Sequence, residues 1–261
     1  MMAKVFQKRS VLIPYFTLGD PSIAFTKKLL YESFESGADI IELGIPFSDP
    51  LADGPVIQAS HQRALIANPN IDIEAGFEVV SDIKKRIAKP ILFMMAVNLL
   101  FRYGMERFFK KAHAIPLDGV ILPDLSLEEA QEYLYYSKRY HTPIIFLVSP
   151  LCSAHRLRRI VKVSKGFVYL ISSTGTTGER DTISKDLSKW VQTIKSIKSI
   201  PVAVGFGISK PEHLDTVYEF ADGAIIGSHF VKMIGESQDP EKAIQRITHA
   251  ISTFKAIPIP K

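Results

Sequence analysis

Eight short apolar runs, each followed by a stretch with helical features, constrain the fold of this chain more than any other property of its sequence. The runs are residues 11–18, 39–44, 90–95, 118–124, 142–148, 166–172, 200–207 and 222–228. They are nearly continuous in Val, Ile, Leu and Phe, which is typical of parallel strands covered on both faces. Eight strand–helix units in 261 residues match a (β/α)8 barrel in number and length. We therefore predict the α/β class and a single TIM-barrel domain over residues 1–261, with an open doubly wound sheet as the alternative.

The helices are predicted from their start and stop signals. Asp20-Pro21-Ser22 opens the first helix, which runs to about Ser36, and Ser126 begins another with a capping-box pattern. The other predicted helices span about 73–88, 104–114, 154–164, 184–197 and 210–220, with helical segments to about Lys255. No linker or low-complexity segment between these elements indicates a second domain.

Composition and charge argue against several classes of function. The formal charge of +5 comes from Lys and Arg scattered over short segments, without the basic runs and interleaved aromatic residues that nucleic-acid binding favours. Cys152 is the only cysteine, which excludes an internal disulfide and a cysteine-ligated zinc site and suits a reducing compartment. The N-terminus lacks the apolar region of a signal peptide, and the longest apolar run, 90–101, is about half of a membrane span. We expect a cytoplasmic protein that binds neither nucleic acid nor membrane.

Three glycine-rich segments follow the last three predicted strands, where a barrel places its functional loops. They are "STGTTG" (173–178), "GFGIS" (205–209) and "GSHF" (227–230). Glycine allows backbone to approach a ligand closely, and free N–H groups at a helix start favour an anion. Ser209 and Ser228 stand where they could cap the helices that follow. Tight turns and caps alone are the simpler interpretation, but the loops after strands 7 and 8 are a recurrent phosphate site in this fold, and we predict phosphate binding.

Glu42 is a carboxylate inside the apolar second strand, and Asp53 lies eleven residues later in a loop held by three prolines. An ion pair with a core Lys or Arg is the structural explanation for Glu42, yet the neighbouring strands offer no obvious basic partner. Burial without a partner would raise the pKa of Glu42 and suit it to general acid–base catalysis near neutral pH. Two carboxyl groups in different environments commonly divide acid and base roles, and Asp53 can reach the same barrel mouth.

Residues that other barrel chemistries need are missing from the sequence. The seven histidines are isolated, and no His, Cys, Asp or Glu cluster has the spacing of metal ligands. No strand end carries an evident lysine for a Schiff base, so a lysine-dependent aldolase is a minor alternative. No dinucleotide fingerprint follows the first strand. We predict acid–base catalysis on a phosphorylated small molecule, without a metal or a cofactor.

Several motifs resemble one family in chain order. The segment "ELGIPFSDPLADGP" (42–55) resembles the signature of the tryptophan synthase alpha subunit family over fourteen positions. The resemblance continues in "PYFTLGDP" (14–21), "LPDL" (122–125), "YLISSTGTTG" (169–178), "VGFGISKPEH" (204–213) and "DGAIIGSHFVK" (222–232). It covers essentially the whole chain and implies a TIM barrel that cleaves indole-3-glycerol phosphate to indole and glyceraldehyde 3-phosphate in a retro-aldol reaction.

The resemblance also implies roles for individual residues. Glu42 matches the general acid–base that protonates the indole ring and handles the glycerol hydroxyl proton, and Asp53 matches the carboxylate that holds the indole N–H. The phosphate-binding positions are Gly178, Gly207, Gly227 and Ser228. The indole-pocket positions are Tyr15, Met94, Leu122, Tyr169 and Phe206. Thr177 matches a threonine of the loop that closes over the site and organises the second-loop acid.

A partner follows from the same resemblance. Family members pass indole to a beta subunit that uses pyridoxal phosphate, in a heterotetramer of two alpha and two beta chains, and they need no cofactor of their own. The partner-facing positions are Pro46, Asp49, Pro50 and Asn98. The chain departs from the family pattern at Ala96, Thr176 and Ser126, where tyrosine, valine and proline are usual, and its N-terminal segment is short. A weak or inactive lyase that mainly activates the beta subunit is therefore the alternative function.

Overall fold

The computed structural model describes residues 2–8, 10–171, 180–205, 207 and 211–256. Nine strands in these residues form one sheet, and every described pairing is parallel. The strands are β1 Val11–Thr17, β2 Ile41–Gly44, β3 Ile91–Met94, β4 Gly119–Ile121, β5 Ile144–Ile145, β6 Leu147–Val148, β7 Val168–Ile171, β8 Val202–Gly205 and β9 Gly223–Ile226. All of them lie within the predicted apolar runs.

The sheet curls into a barrel and is not an open doubly wound sheet. β1 pairs with β2 on one side and with β9 on the other. The run 142–148 bonds on both sides as well, through β5 to β4 and through β6 to β7. At the interruption between β5 and β6, the Phe146 carbonyl still accepts from the Tyr169 N–H at 3.1 Å. One predicted strand therefore counts as two, and the predicted (β/α)8 barrel is confirmed.

Twelve helices lie in the described residues. They are α1 Met2–Val5, α2 Ile23–Glu35, α3 Pro55–Ala67, α4 Ile73–Lys84, α5 Val97–Tyr103, α6 Met105–Ala114, α7 Gln131–Arg139, α8 Ala154–Val163, α9 Arg180–Ile197, α10 Pro211–Tyr218, α11 Ser228–Gly235 and α12 Pro240–Lys255. Side-chain caps begin several of them, because Ser22, Asp72, Ser153 and Asp239 each accept from a backbone N–H in the first turn. None of the described helices is both long and apolar enough to cross a membrane.

The helix predictions were wrong at several places. α3 and α5 were not predicted. In α3, Pro55 resembles a loop residue, although it stands at the first helical position, where proline is tolerated. α4 ends at Lys84 and not at 88. α7 begins at Gln131, five residues after the predicted start. The Ser126 hydroxyl does accept from the Glu129 N–H, as in one half of a capping box, and it donates to the Glu129 carboxylate, but these bonds close a turn that precedes the helix.

Apolar residues fill the barrel from its N-terminal end. The interior cluster contains Ile13, Leu92, Ile121, Phe167 and Ile225, all buried. The single-turn helix α1 covers this end: Met2 is buried there, and the ring of Phe6 lies 5.4 Å from that of Phe167. The barrel interior is therefore apolar at this end, and the candidate site lies at the opposite end, where the strands end.

Candidate active site

Glu42 projects into the barrel from β2, at the register of Tyr15 on β1 and Leu92 on β3. Its side chain is fully buried, and neither carboxyl oxygen has a hydrogen-bond partner among the described residues. No described Lys or Arg forms an ion pair with it, so the core ion pair considered from the sequence is not present there. Burial raises the pKa of Glu42 to about 8. The carboxyl group is therefore mostly protonated at neutral pH, as the sequence predicted from desolvation.

Two tyrosines stand beside Glu42. Tyr15 is buried on β1, and Tyr169 is half-buried on β7; desolvation, followed by the charge of Glu42, raises the pKa of Tyr169. Each ring lies where only glycine leaves room on the next strand. A Cβ on Gly44 would overlap the Tyr15 hydroxyl, and a Cβ on Gly205 would lie 2.7 Å from Tyr169 Cε1. Each of the two aromatic rings therefore packs against a glycine of the neighbouring strand.

Asp53 approaches the same mouth from the loop between β2 and α3. Its N–H donates to the Pro50 carbonyl at 3.1 Å, and its own carbonyl accepts from the Gln58 side chain at 2.9 Å. These bonds hold the residue at the start of α3. Burial, and after it the charge of Asp124, raises the pKa of Asp53 to about 6. At pH 7 the site thus holds a mostly protonated carboxyl group at Glu42 and a mostly ionised one at Asp53.

His61 was not singled out from the sequence, where it is one of seven isolated histidines. It is buried on α3, its Nδ1 accepts from the Phe47 N–H at 3.2 Å, and its Nε2 lies 3.1 Å from the Tyr15 hydroxyl. The same Nε2 is 3.9 Å from Asp53 Oδ2. His61 is the seventh residue of α3, a helix that was not predicted. A correct helix assignment would have placed it within two turns of the helix start that follows Asp53.

The predicted phosphate positions fall partly in the described residues. Gly178 and Thr177, like Ser209, lie outside them. Gly207 is exposed, and a Cβ built on it would meet nothing within 4 Å. Gly227 occupies the cap position of α11, so the expectation that Ser228 caps this helix was wrong; Ser228 is its first residue. A Cβ on Gly227 would lie 3.6 Å from Tyr15 Cβ, so the uncapped first turn of α11 opens beside the Tyr15 ring.

The predicted indole-pocket positions lie at the barrel mouth, except Phe206, which is outside the described residues. Leu122 is buried and Met94 is half-buried. Met94 packs with Tyr15, Ile57 and Val231 in a small apolar cluster. Beyond Leu122 a cavity of about 630 Å³ extends between the loops after β4 and β6, and Asp124 also lines it. Neither Glu42 nor Asp53 lines this cavity, and Leu122 is the one predicted indole-pocket position that does among the described residues.

The predicted partner-facing positions differ in exposure. Asp49 and Asn98 are exposed and Pro50 is half-buried, whereas Pro46 is buried within the chain. Two large apolar side chains that were not predicted stand beside the exposed positions: Leu51 is 92% exposed and Phe101 is 67% exposed. Leu51 follows Pro50 directly, and Phe101 lies three residues after Asn98 on α5, so each adds exposed apolar area next to a predicted position.

Asp124 connects this surface to the site. Its carboxylate accepts from the Val97 N–H at 2.9 and 3.1 Å, at the start of α5, where Ala96 offers no side-chain cap. The same carboxylate contributes to the raised pKa of Asp53. In the part of the chain that the structure describes, no group of three or more His, Cys, Asp and Glu side chains is arranged to hold a metal ion.

Comparisons with known proteins agree on one family. Residues 1–258 match the family described as "Tryptophan synthase alpha chain". A protein of that name from Thermoanaerobacter sp. (strain X514) is 39% identical over 249 residues, 95% of this chain and 94% of the relative. The Arabidopsis thaliana protein of that name is 38% identical over 251 residues, 96% of this chain and 90% of the relative.

Solved structures agree with the sequence comparisons. The tryptophan synthase alpha chain from Legionella pneumophila subsp. pneumophila is similar with a TM-score of 0.87 and 32% identity, over 97% of this chain and 95% of that one. A chain of the tryptophan synthase complex from Pyrococcus furiosus is similar with a TM-score of 0.86 and 35% identity, over 96% of this chain and 99% of that one.

Proposed function

The chain belongs to the tryptophan synthase alpha chain family, and from this premise we propose that it cleaves indole-3-glycerol phosphate to indole and glyceraldehyde 3-phosphate. The observation that carries the mechanism is Glu42, a fully buried carboxyl group without a described partner at the mouth of the barrel. A carboxyl group with a pKa of about 8 can donate a proton at neutral pH and accept one in the same turnover.

The proposed reaction needs two proton transfers and no net proton. Glu42 gives its proton to the indole ring carbon that carries the glycerol chain. The bond between this ring carbon and the first carbon of the chain then breaks. The electron pair of this bond restores the aromatic ring. The adjacent hydroxyl oxygen becomes the carbonyl of the aldehyde, and its proton returns to the Glu42 carboxylate. Indole and the phosphorylated aldehyde are released, and the acid is regenerated for the next cycle.

Asp53 supports the first proton transfer in this proposal. Protonation of the ring carbon places positive charge on the indole nitrogen, and an ionised carboxylate that accepts from the N–H stabilises that charge. A pKa of about 6 keeps Asp53 mostly ionised at neutral pH. The two raised pKa values therefore suit opposite roles: Glu42 starts with its proton, and Asp53 starts without one.

The remaining predicted site residues bind the two ends of the substrate. The first turn of α11, with Gly227 and Ser228, provides free backbone N–H groups for the phosphate, together with Gly207 and Gly178. Tyr15, Met94, Leu122 and Tyr169 line the indole side with Phe206, and Thr177 acts in loop closure. We also propose that Cys152, the sole cysteine, remains a free thiol and that the protein is cytoplasmic.

We propose further that the chain docks on a beta subunit, in a heterotetramer of two alpha and two beta chains, and delivers indole to pyridoxal phosphate held by that partner. The docking surface combines the predicted positions Pro46, Asp49, Pro50 and Asn98 with the exposed side chains of Leu51 and Phe101. The loop that carries Asp53 is continuous with this surface, which would place the docked partner next to the second carboxylate.

Purified protein tests the lyase proposal directly. Indole release from indole-3-glycerol phosphate, with and without a beta subunit, is expected in both conditions and should be faster with the partner. The alternative of an inactive activator is not favoured, because both carboxyl groups lie at the barrel mouth despite Ala96 and Ser126. It would replace the lyase proposal if indole release were absent while the beta reaction was strongly stimulated.

A further inference from the structure

His61 lies at the junction of three parts of the candidate site. It is buried on α3, and its ring contacts the loop after β2, the end of β1 and the region of Asp53. The Phe47 N–H donates to Nδ1, so Nδ1 is an acceptor without a proton. The single proton of a neutral imidazole is then on Nε2. Burial lowers the pKa of His61 to about 4, which keeps the ring neutral at physiological pH.

The Nε2–H group points at residues of the substrate pocket. Its acceptor at hydrogen-bond distance is the Tyr15 hydroxyl, 3.1 Å away. Asp53 Oδ2 stands at 3.9 Å, outside that distance but next to the same nitrogen. A small shift of the Asp53 side chain would bring its oxygen within reach of the Nε2–H. His61 thus contacts a ring that is predicted to bind indole and borders the carboxylate that is predicted to hold the indole N–H.

The Tyr15 hydroxyl has a second donor on the other side. The Thr17 hydroxyl donates to it at 3.3 Å, and Thr17 in turn contacts the Ser60 hydroxyl at 2.6 Å. The Tyr15 hydroxyl is therefore held between the His61 ring and the Thr17 hydroxyl. The two donors fix the direction of the phenol, which lies at the register of Glu42.

We propose that His61 is a positioning residue for the cleavage reaction, whose Nε2–H group fixes the Tyr15 hydroxyl and limits where the Asp53 carboxylate can lie. The inference rests on the proposed lyase function, since it assigns a role in that site. It concerns the orientation of two groups that contact substrate, and His61 itself transfers no proton.

A purely structural role would use the other nitrogen. In that case His61 would matter only as the acceptor that holds the loop at Phe47. The two roles can be separated by amide side chains of different length. Asparagine places an acceptor near the position of Nδ1 and cannot reach Tyr15, whereas glutamine places a donor near the position of Nε2. His61→Asn therefore keeps the hydrogen bond from the Phe47 N–H, and His61→Gln keeps the hydrogen bond to Tyr15.

The experiment measures kcat and KM for indole release by the full chain carrying His61→Ala, His61→Gln or His61→Asn. We expect His61→Ala to lower kcat about tenfold or more, the effect of a lost positioning hydrogen bond, with a smaller change in KM. His61→Gln should recover most of the lost kcat, and His61→Asn should recover little. Ser137→Ala is the matched control, since it removes a buried hydroxyl on α7 that bonds to the Thr142 carbonyl before β5, at the end of the barrel opposite the site. Thermal unfolding reports whether each variant is folded.

A double-mutant cycle with Tyr15→Phe tests whether His61 acts through the phenol. In the Tyr15→Phe background, His61→Ala should lower kcat clearly less than in the otherwise unchanged chain, because only the limit on the Asp53 carboxylate is then left to lose. The proposal is overturned if His61→Ala leaves kcat of the otherwise unchanged chain within about twofold, if its full effect persists in the Tyr15→Phe background, or if asparagine restores kcat as well as glutamine does.

Nitrogen-15 NMR of the histidine side chains separates this inference from the lyase proposal. We expect His61 to be a neutral ring with its proton on Nε2, and we expect the Nε2 resonance to move in Tyr15→Phe. A ring protonated on Nδ1, or an Nε2 resonance that ignores Tyr15→Phe, contradicts the inference whether or not the protein releases indole. Absence of indole release by the unmodified chain, together with the expected NMR result, would instead contradict the lyase proposal.

Discussion

Two buried acids near the same end of the barrel have opposite surroundings. Asp20, just after β1, accepts from Arg63 at two points, with Nε 2.9 Å from Oδ1 and Nη2 2.6 Å from Oδ2. Glu42, on the neighbouring strand, is as deeply buried but has no described partner. The Arg63 guanidinium opposes the rise that burial causes in the pKa of Asp20, whereas nothing described opposes it at Glu42.

The difference separates an acid that holds the fold from one that is available for chemistry. The Asp20–Arg63 pair joins the end of β1 to α3, the helix that carries His61 and directly follows the Asp53 loop. Glu42 has no partner among the described residues, so its burial lowers stability and leaves a proton available at neutral pH. We therefore expect loss of Glu42 to lower mainly turnover and loss of Asp20 to lower mainly the free energy of unfolding.

Glu42→Gln should have the largest effect on turnover. The neutral amide fills the same volume but cannot donate and regain a proton, so we expect indole release to fall by on the order of 10⁴-fold. Thermal unfolding should show no loss of stability, because no described hydrogen bond or ion pair is broken. Glu35→Gln, at an exposed position on α2, is the control. Turnover retained in Glu42→Gln would refute the assignment.

Asp53→Asn should have the next largest effect. The amide cannot supply the negative charge that stabilises the protonated indole ring, and turnover should fall by about 10²-fold or more in the same assay. Asp186→Asn changes an exposed acid on α9 and should leave turnover unchanged. If Asp53→Asn behaved like this control, Asp53 would only be a loop residue.

The pH dependence of kcat/KM should report the two unpaired acids and not Asp20. Asp53 must be ionised, so the rate should fall, approaching tenfold per pH unit, as pH drops below about 6. Glu42 must hold its proton, so the rate should fall in the same way as pH rises above about 8. In Asp53→Asn the limb due to Asp53 should vanish from the residual activity. An acid limb unchanged in that variant would remove Asp53 from the explanation.

Asp20→Asn should change turnover least and stability most. The amide cannot pair with the Arg63 guanidinium as a charge, and we expect a loss of about 2 kcal/mol in the free energy of unfolding, measured by urea denaturation. Asp82→Asn, which removes an exposed acid paired with Lys27 and Lys85, should lose less. A large loss of turnover with unchanged stability in Asp20→Asn would show that Asp20 takes part in catalysis and does not mainly stabilise the fold.

The sequence predicted the barrel because apolar runs in parallel strands are local signals. It could not show that Phe146 interrupts the fifth run, since that depends on strand twist and closure across the barrel. It missed α3 and α5, where Pro55 and the uncapped Ala96 resemble loop residues. In α5, Asp124 satisfies the Val97 N–H from 27 positions away, and no local pattern records such a contact.

The candidate site was also predictable where its residues give local signals in the sequence. Glu42 was found because an acid within an apolar strand is conspicuous, and its raised pKa follows from burial alone. His61 was missed because its contact with Tyr15 spans 46 positions and has no motif. Leu51 and Phe101 were missed because the exposure of a single apolar residue is a property of the folded surface and not of the sequence around it.

The central claim is that burial without a partner makes Glu42 a proton donor at neutral pH. Carbon-13 NMR of the Glu42 carboxyl group, followed across a pH titration of the folded protein and assigned with Glu42→Gln, measures this directly. The account predicts a midpoint near 8. A midpoint near the ordinary value of about 4.5 would show that Glu42 is ionised at neutral pH, and would contradict the account.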